Sequence, residues 1–80
     1  MRHRLQPHQQ DVLDRMERGE QVVLDKTDGT RAFWRLTCRP VKLSVLRTLR
    51  KRKLIRLYAR RAPGVTIWEA SKQIEQRRAA

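Results

Sequence analysis

The chain has 80 residues, of which 39% are apolar and 35% charged, and its net charge is +12 at pH 7. That length excludes a second domain and limits the core, because so short a chain buries only ~60% of the surface its unfolded form exposes. The apolar share still favours folding over disorder, so one domain spanning residues 1–80 is expected, with loose ends at 1–5 and 77–80.

In chain order, "LQPHQQDVLDRMERGE" carries the punctuation of a helix. Pro7 suits a first turn, where its missing N–H costs nothing, and Gly19 suits the left-handed residue that stops the helix. Val12, Leu13 and Met16 make one narrow apolar stripe, enough to dock this helix on a core. In "EQVVLDKTDGTRAFWRL", β-branched and aromatic residues flank Asp28-Gly29, a pair that accepts a tight hairpin turn. This predicts strands over roughly 21–26 and 31–36, with Phe33 and Trp34 on opposite faces and one of them closing the core.

Pro40 ends that unit, and "VKLSVLRTLRKRKLI" predicts a second helix. Val45, Leu46 and Leu49 form its inward stripe, with Leu54 and Ile55 leading out of it. Ser44, Arg47, Thr48 and Lys51, spaced i, i+3, i+4 and i+7, stack into an outward polar row flanked by Lys42 and Arg50. Two extended stretches around Ala62-Pro63-Gly64 predict a second hairpin bearing Arg56, Arg60 and Arg61. The final "EASKQIEQRRAA" predicts a short polar helix anchored by Ile74.

The charge is distributed unevenly along these elements. Residues 1–30 hold five basic and six acidic side chains, a balance of −1; residues 31–80 hold fifteen basic ones against Glu69 and Glu75, a balance of +13. A neutral first third joined to a strongly basic remainder is the arrangement of a chain that meets a polyanion, and nucleic acid is the leading partner. Two other partners are compatible with the same charge. One is a protein or nucleoprotein complex, such as RNA polymerase or a nuclease, gripped by a small adaptor or inhibitor; the other is RNA. The aromatic content of 5% argues against single-strand recognition, which stacks bases on exposed rings.

The run "LRTLRKRKLIRL", followed by an arginine-rich hairpin that ends in "VTIWEASK", resembles the winged helix-turn-helix domains of bacterial and phage repressors. Leu46, Leu49, Leu54 and Ile55 occupy the places of that family's recognition-helix leucines and the step into its wing, and Ile67-Trp68-Glu69-Ala70-Ser71 matches the return strand loosely. Residues 40–44 are too few for the family's positioning helix, and Lys53 stands where it has glycine. The resemblance implies a small α+β fold in the order helix, β-hairpin, helix, β-hairpin wing, short C-terminal helix. It implies a duplex-DNA-binding regulator of transcription, monomeric or weakly dimeric. Its contacts would come from Ser44, Arg47, Thr48 and Lys51 on the helix and from Arg60 and Arg61 at the wing tip; the neighbouring cations Lys42, Arg50 and Arg56 complete the candidate DNA-binding set. Independently of any family, arginine bonds a guanine edge bidentately whereas lysine is a point charge for phosphate, so Arg47 is the candidate for reading sequence and Lys51 for anchoring.

Other chemistry has little to stand on. His3 and His8 have no cysteine or carboxylate at ligand spacing, so no metal or other cofactor is expected. Three glycines cannot build a phosphate loop. Asp11, Asp14 and Glu17 share a helix with Arg15 and Arg18 and read as a solvated face, so an enzyme is not expected. A lone Cys38 fits a reducing cytoplasm. The basic start has no apolar stretch behind it, and no run approaches the ~20 apolar residues that cross a bilayer.

Overall fold

The computed structural model describes residues 4–72. Helix α1 spans Pro7–Glu17 and helix α2 Leu43–Lys51; the strands are β1 (Val22–Asp25), β2 (Arg31–Trp34), β3 (Ile55–Ala62) and β4 (Val65–Ala70). Pro7 opens α1, with the Gln6 amide donating to Gln9 Oε1 at 2.9 Å, and Gly19 follows its end at φ 108°. α2 is capped by Arg52, after which Lys53 takes the left-handed conformation at φ 61°, where a glycine would be unstrained.

The four strands form one antiparallel sheet in the order β2-β1-β4-β3. Val22 lies opposite Trp34 on one side and Trp68 on the other, and Leu24 opposite Ala32 and Thr66. Directly paired residues share a face, so these six side chains line the same side of the sheet. Both helices pack there: Leu13 and Met16 from α1 and Val45, Leu46 and Leu49 from α2 join Val22, Leu24, Trp34 and Ile55 in the core. Leu5, half-buried, packs against the same cluster. Val23, Phe33 and Ile67 occupy the opposite face, where Val23 and Ile67 are also buried.

This architecture corrects the expected one. The two hairpins do not stand apart as core and wing, because β4 pairs along the whole of β1 and merges them. The physical reason lies in "VTIW": Ile67 and Trp68 are apolar on both faces, which a central strand satisfies and a solvent-exposed wing does not. The expected C-terminal helix is also displaced at its start, since Glu69 and Ala70 complete β4, paired with Arg56 and Ile55. Ser71 then donates its amide to Leu54 O at 2.9 Å. The remainder of that expected helix, with Ile74, lies outside the described residues.

No positioning helix precedes α2. The segment from Arg35 to Lys42 is instead tied to β2: Trp34 donates to Arg39 O at 2.8 Å, Cys38 to Trp34 O at 2.8 Å and Val41 to Ala32 O at 2.9 Å. Val41 is therefore a buried extension of the sheet layer rather than the first residue of the helix. Among the described residues no helix is long and apolar enough to cross a membrane.

Candidate nucleic-acid interface

The nine residues singled out by sequence fall into three groups. Lys42 just before α2, Ser44, Arg47 and Lys51 on α2, and Arg60 and Arg61 on β3 are exposed. None of these four arginines and lysines of α2 and β3 beyond Lys42, nor Lys42 itself, has a carboxylate within ion-pair distance among the described residues. Thr48 is half-buried, so it belongs to the flank of α2 rather than to its outward row. Arg50 and Arg56 are already engaged within the protein.

Arg56 lies directly opposite Glu69 on the second sheet face and clamps it, with Nε and Nη2 both 2.9 Å from Oε2. Gln21 reaches the other oxygen of Glu69 at 3.5 Å and accepts from Arg35. This joins the entry to β1 with β3 and β4 and neutralises the one acidic residue described beyond residue 31. Arg50 turns the other way and lays its guanidinium over the Trp68 ring, 4.6 Å from the centroid. Trp68 is half-buried and donates its indole N–H to Thr66 Oγ1 at 2.9 Å.

Around that ring the helix face of the sheet is open. Leu24, Leu46, Ile55 and Trp68 floor a cleft of about 100 Å³ between α2 and the strands, with Arg47 and Arg50 on one wall and Lys26 on another. It continues past Leu57 and Thr66 to Arg60 and the Pro63-Gly64 turn. No carboxylate lines either part.

Two local features bring these groups together. Lys26 donates its amide to Gly64 O at 2.8 Å, which places the end of β1 against the β3–β4 turn. Gly64 has φ 86°, and a Cβ there would meet Thr27 Cγ2 at 3.3 Å, so the close approach depends on glycine. In β3, Leu57 pairs with Trp68 but Ala59 pairs with Ile67, leaving Tyr58 as an extra residue. This irregularity reverses the alternation and puts Arg60, opposite Thr66, on the face of Trp68.

Lys26 and Trp68 are missing from the sequence-derived set. Lys26 sits in the charge-balanced third of the chain, and only the β1–β4 pairing carries it to the basic region. Trp68 carries no local signal that separates it from an ordinary core aromatic.

The acidic groups lie elsewhere, Asp11, Asp14 and Glu17 on α1 and Asp25 and Asp28 at the β1–β2 turn. The Asp25 carboxyl is held below the usual carboxylate range by the Thr27 hydroxyl, which donates to it at 2.6 Å. The Thr27 amide at 2.9 Å and the charge of Arg31 act in the same direction. His8 and Cys38 are exposed, and no group of three His, Cys, Asp or Glu among the described residues could hold a metal ion.

Comparison with protein-family models, with curated proteins and with solved structures gives no match to this chain. The winged helix-turn-helix resemblance therefore has no relative behind it, and the functional argument rests on the placement of charge.

Proposed function

We propose that the chain binds duplex DNA through the exposed cations of α2 and β3. One observation carries this reading: Lys42, Arg47, Lys51, Lys53, Arg60 and Arg61, on α2, on β3 and on the residues that flank α2, are exposed with no carboxylate partner among the described residues. Like charges at this density repel one another and weaken the compact state, and a phosphate backbone offsets that repulsion by releasing its own counterions. The described carboxylates do not compete for these cations. They lie on α1 and its exit, at the β1–β2 turn, and in the Arg56–Glu69 pair.

Within this surface the roles divide by chemistry. Lys51, Lys53, Arg60 and Arg61 bind phosphate and set position, while Arg47, on the outward row of α2 beside Ser44, bonds a guanine edge. Sequence-dependent binding of this kind is the activity of a small regulator of transcription. The test compares Arg47→Ala on a selected duplex and a scrambled one at fixed salt. A loss of about 1–3 kcal/mol confined to the selected duplex supports base reading by Arg47. Equal losses on both reduce the surface to a non-specific grip, and failure of the unmodified chain to bind any duplex at low salt refutes the proposal.

A further inference from the structure

The cleft beside Trp68 is not explained by phosphate binding alone. A surface that only tracks a backbone needs cations, whereas here an apolar floor and a half-buried indole are bordered by Lys26, Arg47 and Arg50, with Arg60 on the continuation of the cleft. We infer that this cleft takes one unpaired nucleobase, so that the protein prefers a DNA duplex carrying an extrahelical base over a fully paired one. The inference rests on the DNA-binding reading and adds a ligand to it.

The occupant follows from the chemistry of the cleft. A nucleobase offers a flat π-face to an indole, and its two flanking phosphates carry the negative charge that a lining with cations and no carboxylate would receive. Arg50 covers the ring at 4.6 Å in the free protein. An exposed cation–π contact is weaker than base–indole stacking, so an entering base displaces the guanidinium, and Arg50 turns to the phosphate beside it. The Trp68 N–H stays on Thr66, which fixes the ring edge and leaves the face as the recognition element. Because an indole face accepts every base, the cleft selects for being unpaired rather than for base identity. Lys51 on α2 and Arg61 on β3, outside the cleft, hold the flanking duplex.

The experiment uses the unmodified chain with two DNA duplexes of equal length, one fully paired and one with a single bulged thymidine, followed by tryptophan fluorescence. Trp34 is only 5% exposed, so quenching on titration reports Trp68. The expected result is quenching by the bulged duplex only, with about tenfold tighter binding than to the paired one. Trp68→Leu should abolish both the quenching and the preference while leaving affinity for paired duplex nearly unchanged. If Trp68→Leu does not fold, Lys26→Ala decides instead: it alters an exposed cleft cation outside the helix and should lower affinity for the bulged duplex more than for the paired one. Equal affinity for the two duplexes without quenching overturns this inference and leaves duplex binding standing. No binding to either duplex overturns both.

Discussion

Leu49→Ala tests the packing that orients the whole interface. Leu49 has no exposed surface and lies in the cluster with Met16 and Val45, so α2 can turn its cations outward only while Leu49 faces inward. The substitution removes three carbons. At about 0.8 kcal/mol per buried methylene the transfer loss is about 2.4 kcal/mol, and the residual cavity brings the cost to about 2–5 kcal/mol. A domain of this size holds only about 4–12 kcal/mol in total, and each kcal/mol moves its melting point by about 4–8 °C. The thermal midpoint, followed by far-ultraviolet circular dichroism, should therefore fall by roughly 8–40 °C, or the variant should be largely unfolded at room temperature. Lys51→Ala, two residues on and exposed, should change stability by less than about 0.5 kcal/mol. A Leu49→Ala protein that melts like the parent, or a Lys51→Ala protein that melts as low as Leu49→Ala, would show that the helix faces the other way.

Gly64→Ala should cost about 1–2 kcal/mol, because it forces a side chain to φ 86° and crowds Thr27; urea unfolding measures it. Arg56→Ala should leave the salt dependence of duplex binding unchanged, since Glu69 already holds that guanidinium, whereas Arg60→Ala and Arg61→Ala should each lower the slope by about one unit. The lowered pKa of Asp25 means that its carboxylate stabilises the fold above the unfolded value of about 3.9 and that this contribution is lost as pH falls through the folded value. Thr27→Val should raise the Asp25 pKa toward the ordinary value, measured by NMR titration, and flatten that part of the stability profile.

The boundaries of α1, α2 and the two hairpin turns were legible in the sequence; the end of β4, expected to begin a helix, and the way the elements assemble were not. Pro7, Gly19, Asp28-Gly29 and Pro63-Gly64 mark boundaries through backbone chemistry that acts within a few residues, and the structure has its turns there. The spacing of Val45, Leu46 and Leu49 likewise identified the buried face of α2. The pairing of β1 with β4 joins residues more than forty positions apart. No turn residue encodes it, and so the local pattern predicts a core with a separate wing where the chain forms one sheet. Pattern reading also fails at Tyr58, where strict alternation would put Arg61 rather than Arg60 on the face of Leu57 and Trp68. The same two features carry Lys26 and Arg60 to Trp68, which is why the cleft was invisible to periodicity while the exposed row of α2 was not.

The central claim is that unpaired cations on α2 and β3 bind a phosphate backbone. Its most direct test is the equilibrium affinity of the unmodified chain for duplex DNA as a function of monovalent salt. With three to six of the cations Lys42, Arg47, Lys51, Lys53, Arg60 and Arg61 each neutralising a phosphate, the logarithm of the association constant should fall against the logarithm of salt with a slope of about −3 to −5. A slope near zero, or no measurable binding at low salt, would contradict it.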